Sequence, residues 1–183
     1  MDENLAIFYV LLLVVLLLGA GFFVFRQILK TRRVETTLSQ LQRKLSQDQG
    51  TAQEYYELGS ILNDKKLYTQ AIAVFQKALK AAKEEVPENV AMIYNALGYA
   101  HFAKEQYDIA IRQYKEALKL NSDYVIAYNN LGAAYERKKL TAQALEVYEQ
   151  SLKIDPKNSV AKRRSESLEK RLGIPTSEST QSS

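Results

Sequence analysis

The chain repeats itself three times. The segments YYELGSIL at 55–62, YNALGYAH at 94–101 and YNNLGAAY at 128–135 share a Leu-Gly pair with an aromatic four residues before the glycine. Twelve residues after each glycine stands an alanine (Ala71, Ala110, Ala144), and four residues later an aromatic ring (Phe75, Tyr114, Tyr148). Another small residue follows in Ala78, Ala117 and Ser151. A period of this length marks a supersecondary unit that cannot bury its own apolar face and must stack on copies of itself. The spacing predicts two antiparallel helices, A and B, per unit. Gly59, Gly98 and Gly132 are expected where A and B approach too closely for a side chain, with the B-helix alanines opposite them and the aromatics filling gaps between helices. The fold class is therefore all-α, six helices in a stack.

These residues resemble the tetratricopeptide repeat (TPR) at nearly every diagnostic place, Pro156 at the terminal turn included. The resemblance covers about residues 52–158 and divides 51–158 into repeats at about 52–90, 91–124 and 125–158. It implies an α-solenoid of three TPR helix pairs. The chain departs from the pattern in its spacing. Gly98 to Gly132 is 34 residues, whereas Gly59 to Gly98 is 39, so five residues are inserted around Lys83–Asn89 and lengthen the first B helix or its loop. Ser122 replaces the usual proline, and His101 stands where Tyr135 sits one repeat later, most simply as a packing residue. Residues 159–172 carry Val160, Leu168 and Leu172 on a polar background, the pattern of a C-terminal capping helix. Residues 173–183 are too polar to pack and read as disordered.

Before the repeats, Leu5 to Phe25 is a run of 21 residues without a charge. As a helix it is long enough for the roughly 30 Å hydrocarbon core of a bilayer. Asp2 and Glu3 precede it and Phe22 and Phe23 follow its small residues, which favours an uncleaved single transmembrane helix over a signal peptide. Arg26, Lys30, Arg32 and Arg33 follow the span, so the repeats are expected on the cytoplasmic-type side and the N-terminus across the membrane. Those four cations are also placed to meet anionic headgroups. Within the basic linker, 26–50, Val34, Leu38, Leu41 and Leu45 form one helical stripe. It is short for a coiled coil, and pairing with a second copy, packing on the first repeat and lying on the membrane surface stay open. Thr51-x-x-Glu54 is a capping box that starts the next helix.

Charge and inventory exclude whole classes of function. Residues 52–156 hold 13 Lys/Arg against 14 Asp/Glu, while six basic residues lie in 26–44 and six in 157–172. A near-neutral folded core with basic flanks does not suit nucleic acid, which needs a basic face on the domain itself. There is no cysteine, one histidine and no phosphate loop or catalytic triad pattern, so neither enzyme nor cofactor is expected. Glu84 and Glu85 read as a solvated loop.

In TPR architecture the A helices line a concave groove, which places there Gln53, Tyr56, Ser60, Asn63 and Asp64, then Met92, Asn95, Tyr99, Phe102 and Ala103, then Ile126, Asn129, Ala133, Glu136 and Arg137, with Asn130 beside them. Tyr56, Tyr99 and Phe102 are aromatic where packing of the repeat does not demand it. Asparagine amides offer donor and acceptor to a peptide backbone. Three functions compete. One is a tethered scaffold or assembly factor for a membrane complex. The others are a chaperone receptor for acidic C-termini, which would need a clamp of cations that Arg137 alone does not make, and a component of a bacterial pilus or secretion machine. The order of parts resembles the small membrane-anchored TPR proteins of cyanobacteria and algal plastids. That resemblance implies a thylakoid protein with a lumenal N-terminus, its repeats in the cytoplasm or stroma, and photosystem I as the complex it serves.

Overall fold

A computed structural model describes residues 2–47 and 50–173, which form two separate compact units divided between Asp48 and Gln49. The first unit is a single helix, α1 (Asp2–Gln47), of 46 residues. The proline-free run continues past Phe25 without a break, so the apolar stretch and the basic linker are one element and not two. From Ile7 to Phe25 the described side chains are apolar all round the helix and exposed, Leu18 and Phe23 by about 70%. The helix is long and apolar enough to cross a membrane, with a mean hydropathy of 2.9 in its most apolar window. Beyond the apolar part, Thr31, Thr36, Ser39 and Ser46 turn their hydroxyls back onto carbonyls of the preceding turn, which satisfies them without a partner.

The second unit contains the helices α2 (Ala52–Asp64), α3 (Tyr68–Ala81), α4 (Pro87–Ala103), α5 (Tyr107–Leu120), α6 (Val125–Arg137), α7 (Thr141–Ile154) and α8 (Ser159–Leu172). The first six are the A and B helices of three repeats, each packed on its chain neighbours. The expected capping box opens α2: Thr51 Oγ1 accepts from the Glu54 amide at 3.2 Å and Glu54 Oε2 from the Thr51 amide at 3.1 Å. Each A helix ends on a residue in the left-handed region, Lys66, Glu105 or Lys139, at φ near 60°. The amide after it bonds five residues back, Leu67 to Leu62, Gln106 to His101 and Leu140 to Tyr135, at 2.8–3.0 Å. This closes orphan carbonyls and reverses the chain into helix B.

The glycines stand, as expected, where helices A and B approach too closely for a side chain, but what faces them differs. A Cβ on Gly98 would lie 2.6 Å from the Tyr114 ring, and Gly59 and Gly132 meet Phe75 and Tyr148 as closely. The space is therefore filled by the B-helix aromatic and not by the alanine four residues earlier. Phe75, Tyr114 and Tyr148 are buried by this contact, as are all the repeat alanines.

The inserted residues lie around 83–89 as expected, but apart from one loop residue they lengthen the following A helix and not the B helix. The B helix α3 has 14 residues, like α5 and α7. Instead α4 has 17 residues where α2 and α6 have 13, and the loop before it is one residue longer than that before α6. Pro87 begins the added turn at the first helical position, where a missing N–H costs nothing.

Helix α8 closes the stack. Asn158 caps it, accepting from the Val160 and Ala161 amides, and Gly173 ends it at φ 69°. Its buried face is Ala161, Ser165 and Leu168, whereas Val160 and Leu172, expected to pack, are more than 40% exposed. Residues 174–183, read as a disordered tail, lie outside the described residues.

Candidate functional site

The A helices bring together residues distant in sequence because equivalent positions recur in each repeat. Six residues before each glycine stand Gln53, Met92 and Ile126, and the latter two are 41% and 56% exposed. Three before stand Tyr56, Asn95 and Asn129, and one after stand Ser60, Tyr99 and Ala133. Two clefts open among them. The larger, about 540 Å³, is lined by Ser60, Asn63 and Asp64 of α2, Asn95, Ala96 and Tyr99 of α4, and Asn130 of α6, so all three repeats contribute. The smaller, about 250 Å³, lies between the N-terminal halves of α2 and α4, among Gln53, Tyr56, Glu85, Asn89, Met92 and their neighbours.

The amides of the larger cleft bond first to one another. Asn130 Nδ2 donates to Asn95 Oδ1 at 2.9 Å, Asn95 Nδ2 to the Tyr124 hydroxyl at 3.4 Å, and Asn63 Nδ2 to the Ala96 carbonyl at 3.3 Å. The Asn130–Asn95 and Asn63–Ala96 bonds join A helices of neighbouring repeats, and the Asn95–Tyr124 bond ties α4 to the residue that opens α6. Tyr99 meets the Tyr68 ring edge-on at 6.5 Å yet stays 45% exposed.

Of the residues assigned to the groove from sequence, the clefts collect Gln53, Tyr56, Ser60, Asn63, Asp64, Met92, Asn95, Tyr99 and Asn130. Three others are occupied by the fold. Phe102 is half-buried against the core and meets Tyr107 edge-on at 5.4 Å, so its ring is partly used in packing. Arg137 lies over the Tyr107 ring at 5.2 Å and pairs with Glu105 at 3.6 Å. Asn129 Oδ1 accepts from Ser151 Oγ at 3.1 Å and from Asn158 Nδ2 at 3.0 Å. Glu85, read as part of a solvated loop, is half-buried, accepts from Asn89 at 2.8 Å and lines the smaller cleft. The length of the insertion, close to one helical turn behind a proline, was the available signal for it.

Asn129 and Asn95 occupy one register position and reach the same place, 29 residues ahead, at Asn158 and Tyr124. Sequence reasoning missed Tyr124, which has no counterpart in the repeat signature. His101 is buried, with its ring Nδ1 2.7 Å from Gln106 Oε1, as a packing residue should be.

Ionisation of three tyrosines is suppressed. Burial raises the Tyr114 phenol above the ordinary value of 10, with a smaller contribution from Tyr99, and burial also raises Tyr124. Tyr148 is raised by burial and by donating to Glu136 Oε1 at 2.9 Å; Arg164, 3.5 Å from the other Glu136 oxygen, partly opposes this. Among the described residues no cluster of His, Cys, Asp or Glu could hold a metal ion. On α1, Arg26, Arg32 and Arg33 are exposed, and the side chain of Lys30 lies outside the described residues.

Models of the tetratricopeptide repeat match residues 48–123 and 95–159. A ycf37 protein of Cyanophora paradoxa is 37% identical over 164 residues, 90% of this chain and 95% of that protein. The chloroplastic TPR domain-containing protein PYG7 of Arabidopsis thaliana is 36% identical over 165 residues, 90% of this chain but 54% of PYG7. Among solved structures, MamA superposes with a TM-score of 0.68 at 25% identity, covering 75% of this chain and 77% of that one. The first TPR domain of Spaghetti (RPAP3), bound to the HSP90 peptide SRMEEVD, has the same fold at 23% identity, with a TM-score of 0.62 over 69% of this chain and 96% of that one.

Proposed function

The chain belongs to the tetratricopeptide-repeat family, among relatives of the ycf37 proteins and PYG7, and from that premise we propose that it is a membrane-tethered assembly factor for photosystem I. The repeat fold is a protein-interaction module and not a catalyst, so the chain acts as a scaffold. The observation that carries the rest is the pairing of a concave cleft drawn from all three repeats with a helix of membrane-spanning length on the same chain. Tethering a binding surface raises its effective concentration beside a membrane client without any new contact. The ycf37 likeness spans almost the whole length of the Cyanophora paradoxa protein, and PYG7 is named as chloroplastic; both support a thylakoid location.

In this reading residues 5–25 cross the bilayer, the acidic N-terminus lies in the lumen, and Arg26, Lys30, Arg32 and Arg33 meet headgroups on the cytoplasmic or stromal side with the repeats. A receptor for acidic C-termini is disfavoured by the cleft itself, since no lysine or arginine is among the described residues that line it. Two measurements test the proposal. Alkaline carbonate extraction should leave the full chain with the membrane and release a variant lacking residues 1–25; release of the full chain contradicts the anchor. Crosslinking in native thylakoid membranes should recover photosystem I subunits, and recovery of a chaperone instead contradicts the assigned client.

A further inference from the structure

By register, helix α8 is the A helix of a fourth repeat. Its buried residues Ala161, Ser165 and Leu168 follow Ala127, Leu131 and Ala134 of α6 by 34 residues, and those are buried too. It packs on α7 as α6 packs on α5, and it is tied to α6 by Asn158 Nδ2 to Asn129 Oδ1 at 3.0 Å and by Arg164 to Glu136 at 3.5 Å. Val160 therefore repeats Met92 and Ile126, and all three are more than 40% exposed. The concave face continues onto α8, and there its chemistry changes. Arg163 stands where α4 and α6 have Asn95 and Asn129, and Lys170 and Arg171 stand where α4 has Phe102 and Ala103. With Val160 and Arg164 these cations recur at spacings of three, four and seven residues, which a helix gathers on one side. The carboxylates of α8 lie on the other flank, where Glu166 pairs with Lys162 at 3.9 Å. The side chains of Arg163, Lys170 and Arg171 are exposed and, among the described residues, make no ion pair or hydrogen bond. At the far end of the face, α2 presents exposed Glu57 and Asp64 in the registers of Arg164 and Arg171. The face thus runs from carboxylates on α2, across the uncharged positions of α4, to cations on α8.

We infer that this face binds an extended client segment with a run of aspartate or glutamate over α8 and apolar side chains where it crosses α6 and α4. Guanidinium groups take carboxylates through paired, charge-assisted bonds, and an unpaired cluster of them recognises acidic sequence. Packed helices lie about 8–10 Å apart, a distance that an extended chain covers in about three residues. Apolar residues at every third position therefore meet Ile126 and Met92 in turn. An anionic bilayer would also attract the cations, but a flat surface does not follow a concave row from Val160 to Met92. The ligand carboxylates are those of side chains, since the cleft among α2, α4 and α6 has no lysine or arginine among its described lining residues to clamp a chain terminus. The inference rests on the concave face being the client surface and adds the chemistry that this surface reads.

The probe is the dye-labelled peptide acetyl-Glu-Asp-Glu-Asp-Ser-Leu-Ser-Ser-Leu-amide, titrated in both sequence directions against the full chain in uncharged detergent micelles and followed by fluorescence anisotropy. One direction should bind and saturate. Its Gln/Asn analogue, equal in shape but uncharged, should bind at least roughly tenfold more weakly. Replacing Arg163, Lys170 and Arg171 together by glutamine should weaken the acidic peptide by a similar factor with melting unchanged, because all three side chains are exposed. Replacing three exposed B-helix cations, Lys77, Arg112 and Lys153, by glutamine removes the same charge and should leave binding intact. No binding in either direction, equal binding of the uncharged analogue, or equal losses from the two triple variants overturns the inference. Client capture in native membranes separates this failure from that of the groove itself. Capture kept by the α8 variant but lost on removing Met92, Tyr99 and Ile126 side chains overturns the acidic site alone and leaves its cations to lipid headgroups; capture kept by both overturns the groove as well.

Discussion

Single residues decide how this solenoid divides its amides between holding itself together and meeting a partner. Asn129 and Asn95 share a register position, yet Asn129 Oδ1 is held by Ser151 and Asn158 at the α7–α8 junction, while Asn95 lines the cleft with its oxygen held by Asn130 and its Nδ2 by the Tyr124 hydroxyl. The three A-helix ends show a different economy. Lys66, Glu105 and Lys139 hold left-handed backbone that costs a side-chain-bearing residue about 1–2 kcal/mol relative to glycine. Lys66→Gly or Lys139→Gly should therefore stabilise the chain by about 1 kcal/mol or less once the flexibility of glycine in the unfolded state is counted. A rise in Tm of about 3 °C in differential scanning calorimetry is expected; a fall would mean that these lysines make compensating contacts. The inward set was legible in sequence, because glycine, alanine and aromatic positions mark close helix approach directly. The fate of each asparagine was not. It depends on bonds to residues 22–35 positions away, and no local pattern encodes them.

At the scale of elements, the helix pairs follow from periodicity and the details follow from neighbours. The inserted residues extend α4 and not α3, because Pro87 is well placed to start a helix and the preceding B helix already has its full length. Val160 and Leu172 are exposed because α8 packs through Ala161, Ser165 and Leu168, and only contact with α7 selects that face. The α7–α8 junction is polar where the first two repeats use alanine. Asn158 Nδ2 donates to Ser151 Oγ at 2.8 Å while its Oδ1 caps α8. Asn158→Ala removes the cap and the Nδ2 donor that Ser151 Oγ and Asn129 Oδ1 share, leaving those two bonded only to each other, for a loss of about 2 kcal/mol in urea denaturation. In the Ser151→Ala background the same change should cost less, since one of the two acceptors it served is already gone; equal costs would deny the network.

For the whole molecule, solvent conditions and client binding probe the same stack. Tyr114, Tyr124 and Tyr148 hold their protons more tightly when folded than the ordinary value of 10 in the unfolded chain. Between those values the folded state binds more protons, so the stability they contribute is intact below pH 10 and is lost as pH rises above it. Helical ellipticity should hold to about pH 10 and then fall together with a late rise in tyrosinate absorbance; tyrosines that all ionise near pH 10 without unfolding would contradict the burial. The central claim is that the concave face of a tethered stack captures a membrane client. Its most direct measurement is crosslinked client yield in native membranes for the triple variant Met92→Ser, Tyr99→Ala, Ile126→Ser, beside the wild type. All three side chains are more than 40% exposed, so the stack should retain its circular dichroism and melting. The account predicts client yield reduced roughly tenfold with the fold intact. Undiminished yield from the folded variant would contradict it.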